Sequence, residues 1–184
     1  MAFFNRGLTG VTIPNTVTSI SAAAFTMNKL TSVTIPDSVT EIGMMAFYEN
    51  QLTSVSLGSG LTTIGNDAFA ANKLTSVTIP DNITSIYSNA FDANNITTVT
   101  IGSGITGIGN SAFGGWQCYE ITSGMSCDSY PGENEVIYGP NQITSVTINR
   151  PSTDLNNGLT IGTNVFNWVS GKSDSNICFS NSGC

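Results

Sequence analysis

The chain has 184 residues, 40% hydrophobic and only 9% charged, with five basic against twelve acidic side chains and a net charge of −7. So much apolar content excludes disorder through lack of burial, and the length suits one domain or one repeat array. The basic residues Arg6, Lys29, Lys73, Arg150 and Lys172 are scattered, which argues against nucleic acid or an anionic membrane surface as partner, and no apolar run reaches the roughly 18 residues of a spanning helix.

Thr, Ser and Asn fill the polar positions, and these favour strands, turns and side-chain-to-backbone bonds over long helices. Met1–Gly7 lacks the apolar core of a signal peptide. It does contain Ala2-Phe3, which lies 22 residues before Ala24-Phe25. The chain is therefore expected to begin in mid-repeat, with any export signal upstream.

From Leu8 a period of 22 residues governs the sequence: Leu8, Leu30, Leu52, Leu74 and Ile96 open successive units. The fourth column reads Val11, Val33, Val55, Val77, Val99, and the sixth Ile13, Ile35, Leu57, Ile79, Ile101. The tenth column is Val17, Val39, Leu61, Ile83, Ile105, the thirteenth is Ile throughout, and an Ala-Phe pair closes each unit at 24–25, 46–47, 68–69, 90–91 and 112–113. Leu-x-x-Val-x-Ile is the strand signature of a leucine-rich repeat, whose three apolar side chains point into a stacked core. The pattern predicts a mostly β solenoid of about six repeats, with one parallel sheet lining its concave side. One unit cannot bury its own apolar face, so stability is shared between neighbours.

Two finer regularities run through the repeats. The turn after the strand alternates from the second unit onward between Pro36-Asp37 or Pro80-Asp81 and Gly58-Ser59 or Gly102-Ser103, a super-period of 44 residues. Asn28, Asn50, Asn72 and Asn94 each stand two residues before a strand. They read as an internal stack that satisfies turn backbone groups, with a polar ligand ladder as the alternative.

The period fails after Phe113. Trp116 takes the Asn column and Cys118 the Leu column, and Ile143-Thr-Ser-Val-Thr-Ile then resumes the strand. The expected organisation is regular repeats over 1–117 with the first truncated, an insertion over 118–142, and an atypical last repeat with a C-terminal cap over 143–184. All four cysteines, Cys118, Cys127, Cys178 and Cys184, lie in this irregular third. Their spacing fits no zinc ribbon or finger and there is no histidine to assist. Two disulfides are expected, with Cys118–Cys127 and Cys178–Cys184 favoured by proximity among three pairings, which implies an oxidising compartment.

The chain has no histidine at all, which removes His-based triads, general bases and metal ligands together. No phosphate-binding Gly-rich motif appears, and Glu133 and Glu135 sit beside Pro131 and Gly132 in a solvated-loop composition. No enzymatic activity, cofactor or metal is expected.

The longer consensus, from Leu30-Thr-Ser-Val-Thr-Ile-Pro-Asp through Ile42 to Ala46-Phe47, resembles the BspA-like, or Treponema-type, leucine-rich repeats of bacterial surface proteins. The resemblance is close over residues 1–117 and loose over 143–168. It implies a fragment of a longer exported protein at the cell surface, a non-catalytic module for adhesion to a protein or glycan. A structural spacer displaying another domain is the alternative, and an ice-binding Thr/Ser ladder a minor one. Two surfaces are candidates for the ligand. One is the hydroxyl ladder between the core positions of the strands, centred on Ser76, Thr78, Thr98 and Thr100. The other is the insertion, where Trp116, Tyr119, Tyr130 and Tyr138 gather beside acidic residues, since loops on rigid scaffolds carry function and aromatics dominate hot spots.

Overall fold

The computed structural model describes residues 2–114, 141 and 143–148, and the backbone of the strands Cys118–Ile121, Gly124–Cys127, Thr160–Ile161 and Cys178–Phe179. Each repeat makes one turn of a coil with three sides. The first side comes from Leu-x-x-Val-x-Ile. It holds β2 (Ser32–Thr34), β4 (Ser54–Ser56), β6 (Ser76–Ile79), β8 (Thr98–Ile101) and β12 (Ser145–Ile148), with β14 (Cys178–Phe179) beyond. In β6 the side chains alternate, Ser76 and Thr78 out and Val77 and Ile79 buried, as a pleated half-buried strand requires.

A second side, which the sequence reading did not anticipate, is built on the thirteenth-column isoleucines. The two-residue strands β1 (Ser19–Ile20), β3 (Glu41–Ile42), β5 (Thr63–Ile64), β7 (Ser85–Ile86) and β9 (Gly107–Ile108), joined by β13 (Thr160–Ile161), form one six-stranded parallel sheet. Each isoleucine from Ile20 to Ile108 is buried. The Thr two positions before it anchors the repeat to its predecessor: the Thr40 amide and hydroxyl both donate to the Thr18 carbonyl, at 2.9 and 3.1 Å. Strands of two residues carry too little alternation to register as a period-2 signal.

The third side is an arc through the Ala-Phe pairs. Two columns of non-glycine residues adopt left-handed backbone here. Ala23, Met45, Asp67, Asn89 and Ser111 make one, and Asn5, Met27, Glu49, Ala71 and Ala93 the other. Such φ values cost energy for most residues. They are held because amides along the arc donate to the following repeat, as in Phe47 N to Ala68 O at 2.8 Å and Ala71 N to Asp92 O at 3.0 Å. Inside the arc, Phe3, Phe25, Phe47, Phe69, Phe91 and Phe113 form a continuous stack with ring centroids 5.2–5.4 Å apart and nearly parallel planes.

The first side is not the single sheet the period predicts. β2 pairs only with β4, while β6, β8, β12 and β14 form a separate four-stranded sheet, and residues 8–13 form no strand. The alternating turns explain the break. Where the next turn carries glycine, the Gly102 amide donates to Ile79 O at 2.7 Å, a bond that Pro36 and Pro80 cannot make. Close approach also demands glycine: a Cβ on Gly58 would stand 2.5 Å from Pro36 O, and one on Gly104 1.9 Å from Asp81 O. The Asp37 and Asp81 carboxylates complete the junction by accepting the Ser59 and Ser103 amides at 2.7 Å. A glycine turn following a proline turn thus zips β4 onto β2 and β8 onto β6. A proline turn leaves its strand unpaired with that of the preceding repeat. At the break between β4 and β6, Val55 and Leu57 remain only half-buried, whereas Val33, Val77 and Val99 are buried. The 44-residue super-period is therefore a structural unit of two repeats.

Candidate functional site

On the first side, residues between the buried positions face outward. Across β6, β8 and β12 they stand in register: Ser76 beside Thr98 beside Ser145, and Thr78 beside Thr100 beside Thr147. Neighbouring strands lie about 4.8 Å apart, so six hydroxyls form a two-by-three patch. Ser76, Thr78, Thr98 and Ser145 are exposed, and Thr100 and Thr147 are half-buried. The expected ladder hydroxyls Ser76, Thr78, Thr98 and Thr100 are thus brought together. Their counterparts Ser32, Thr34, Ser54 and Ser56 form a second patch on β2 and β4, cut off by the break.

The threonines that flank these strands serve the chain itself. Thr53, Thr97 and Thr144 donate their hydroxyls to the carbonyls of Thr31, Thr75 and Thr97 at 3.2–3.3 Å. A parallel column on the second side, Thr62, Thr84 and Thr106, does the same at 2.9–3.4 Å. Hydroxyls engaged this way are spent on the coil, whereas those of the register patch are turned to solvent.

In the insertion, β10 (Cys118–Ile121) and β11 (Gly124–Cys127) pair antiparallel, with Cys118 opposite Cys127 and Tyr119 opposite Ser126. The side chains of Trp116, Tyr119, Tyr130 and Tyr138, and those of Cys118, Cys127, Cys178 and Cys184, lie outside the described residues. One member of the regular array was hidden by this segment. By count Trp116 holds the Asn column, yet Asn141 occupies that place: its Oδ1 accepts the Ile96 amide at 2.9 Å and its amide group bonds Phe91 O, Phe113 O and Gly114 O. The signal was present, because Asn141 stands two residues before Ile143 as Asn28 does before Leu30. The whole Asn column is an internal stack. Asn50, Asn72 and Asn94 each cap carbonyls of their own and the preceding repeat and accept the amide of the leucine that opens their own repeat.

The arc holds the perturbed acids. Asp92 is 8% exposed with its Oδ1 unpartnered. Burial pushes its pKa up to about 6, opposed by the Ala93 amide and reinforced by the charge of Asp67. Burial also raises Asp67, against a bond from Asn89, and raises Glu49. Asp67 and Asp92 stand in different columns of the repeat, and their proximity arises only when adjacent repeats stack. Among the described residues no three His, Cys, Asp or Glu side chains cluster as a metal site, and no helix is long and apolar enough to cross a membrane.

Near the other end, a groove of about 490 Å³ runs beside β2, with Val11 and Ile13 of the first repeat on one side and Leu57 and Gly58 on the other. Asp37 lies at its rim. The Ser59 amide and hydroxyl hold the Asp37 carboxyl below its ordinary value, so it is charged at neutral pH.

A crystal structure of a leucine rich cell surface protein from Faecalibacterium prausnitzii A2-165 is similar over 88% of this chain and 66% of that one, at 19% identity and a TM-score of 0.31. No curated protein matches the chain. Residues 1–122 match six copies of the BspA type leucine rich repeat region. With the period, the coil and its stacked Phe and Asn columns all in agreement over that span, the chain belongs to the BspA type leucine-rich repeat family.

Proposed function

We propose that this chain is a non-catalytic module of an exported bacterial surface protein, which binds a protein or glycan ligand in adhesion. The observation that carries the reading is the patch of outward hydroxyls on β6, β8 and β12, aligned in register and unused by the coil itself. Hydroxyl contacts contribute about 0.5–1.5 kcal/mol net each, whereas a buried aromatic anchor supplies about 2 kcal/mol or more. The site is therefore centred on Tyr119–Tyr138, with Trp116 at its edge and Ser76, Thr78, Thr98 and Thr100 as the adjoining floor. Disulfides Cys118–Cys127 and Cys178–Cys184 would hold this end of the coil, in keeping with an oxidising location.

Glycan and matrix-protein arrays probed with the chain test the proposal, followed by two variant sets on any ligand found. Replacing Trp116, Tyr119, Tyr130 and Tyr138 by Ala is expected to abolish binding while the repeat signature in circular dichroism persists. Replacing the four ladder hydroxyls by Ala and Val should weaken it several-fold. Loss in the second set alone would move the site onto the strand face, and an array with no ligand would favour the spacer role.

A further inference from the structure

Along the arc, one column of amides bonds each following turn: Asn5 N to Thr26 O, Met27 N to Tyr48 O, Glu49 N to Ala70 O and Ala71 N to Asp92 O, at 2.9–3.1 Å. The next step in the series would be Ala93 N to Gly114 O, and among the described residues that bond is missing. The Ala93 amide is turned instead to the carboxyl of Asp92, beside it in the chain. Gly114 O is taken by the side-chain amide of Asn141 at 2.7 Å. Asp92 therefore stands at the joint where the ladder changes.

The repeat tells what its side chain meets there. Three repeats earlier, Thr26 occupies the same column, and its hydroxyl donates to the Met45 carbonyl of the next turn. Ser111 holds the column of Met45. By this equivalence the Asp92 carboxyl, with its Oδ1 buried and unpartnered, faces the Ser111 carbonyl. A hydroxyl can donate to that oxygen, whereas an ionised carboxylate can only accept. Two acceptors face to face inside the arc repel unless a proton lies between them. We propose that Asp92 is a proton-operated latch between its own turn and the turn 110–114, closed when its carboxyl O–H donates to Ser111 O and loosened when that proton leaves to solvent. Burial, opposed by the Ala93 amide and aided by the charge of Asp67 on the preceding turn, sets the change near pH 6. Among the described residues the turn 110–114 carries no titratable side chain, and no basic group bears on Asp92. What the latch secures is Asn141, which caps Phe91 O, Phe113 O and Gly114 O across the same two turns. Asn141 stands just ahead of β12, so the seating of Ser145 and Thr147 in the hydroxyl patch follows pH.

Hydrogen exchange on the full chain, corrected for its intrinsic pH dependence, tests the latch together with the carbon-13 shift of the Asp92 carboxyl. Phe91 N and Gly114 N report on the joint through their bonds to Ala112 O and Ser111 O at 2.8 and 2.9 Å, and Phe25 N, bonded to Ala46 O, is the reference. Between pH 5 and 7.5 protection of Phe91 and Gly114 should fall about tenfold, as a carboxyl at about 6 when latched and 3.8 when open requires, while Phe25 holds. Asp92→Thr supplies a hydroxyl as Thr26 does, and Asp92→Asn supplies a carboxamide N–H. In both variants protection at pH 7.5 should stay at its pH 5 level. Asp67→Asn, with Asp92 intact, should move the carboxyl midpoint down, a reading independent of how the Asp92 variants fold. Titration of Asp92 at the ordinary carboxylate value, protection indifferent to pH, or an undiminished loss in the Thr and Asn variants would each overturn the proposal. So would recovery of protection at pH 7.5 on adding millimolar calcium, the mark of a cation site.

Discussion

The side-chain amide of Asn72, 1% exposed, joins two repeats: it bonds Phe47 O at 3.0 Å in the preceding repeat and Phe69 O at 3.1 Å and Ala70 O at 3.2 Å in its own, while Oδ1 accepts the Leu52 amide at 3.0 Å. Leaving buried backbone groups unsatisfied costs about 1–3 kcal/mol apiece. Asn72→Ala is therefore expected to lower unfolding free energy by about 3 kcal/mol or more in denaturant titration. Asn72→Asp should be worse at pH 7, since it sets a carboxylate against three carbonyl oxygens. Asp92 gives a pH signature of the opposite sign from most carboxylates. Its folded pKa of about 6 lies above the ordinary 3.8, so between these values the folded chain keeps a proton that the unfolded chain has released. Stability from this group is full below pH 4 and falls by about 3 kcal/mol as pH rises through 6. Asp67 and Glu49, also raised, act in the same direction. Chemical denaturation across pH 4–7 should show this decline, and Asp92→Asn should flatten it; a decline of undiminished slope in the variant would place the titration elsewhere.

At the scale of the strand, turn chemistry decides which neighbours pair. Pro80→Gly restores an amide opposite Leu57 O and removes the ring that holds β6 away from β4. The expected result is one continuous sheet from β2 to β12, seen as at least tenfold slower exchange of the Val55 and Leu57 amides. The converse change is Gly104→Ala, which drives a Cβ to 1.9 Å from the Asp81 carbonyl. Backbone must shift to relieve it, and overpacking of this type costs about 1–3 kcal/mol. Thermal melts of this variant should fall, with the largest loss of protection on β6 and β8. Unchanged exchange in both variants would detach the break from the alternation of proline and glycine.

Over the whole coil, stability passes between nearest neighbours. Phe69 is fully buried with a ring on each side, while Phe25 packs between Phe47 and Phe3, itself 47% exposed at the end of the stack. Phe69→Ala is expected to cost about 3–5 kcal/mol and Phe25→Ala distinctly less, read by denaturant midpoint at constant slope. Equal losses would contradict one-dimensional coupling. The continuous columns, Phe, Asn and the second sheet, cross both interruptions of the first side, so the coil stays a single cooperative array although its first side is built in pairs.

The fold was written in the period. A 22-residue repeat of apolar columns admits one arrangement in which every column is buried, because stacking each unit on its copy is the way a lone unit hides its apolar face. Leu30, Val33, Ile35 and Phe47 therefore determine the coil, while the Asn column, open in sequence between an internal stack and a ligand ladder, is decided by its bonds to the Phe carbonyls. Three features needed the third dimension. The second sheet rests on strands too short to show alternation. The approach of Asp67 to Asp92 depends on which repeats touch, and the place of Asn141 in the Asn column is obscured in linear spacing by the insertion that precedes it. The interrupted first side is visible in sequence only as a choice of Pro or Gly, and it acquires meaning once Gly102 N is seen to reach Ile79 O and Pro80 is seen to have no N–H to offer. Periodicity determines what is buried because burial is collective and repeats the same contact; pairing is local, and a single missing hydrogen changes it.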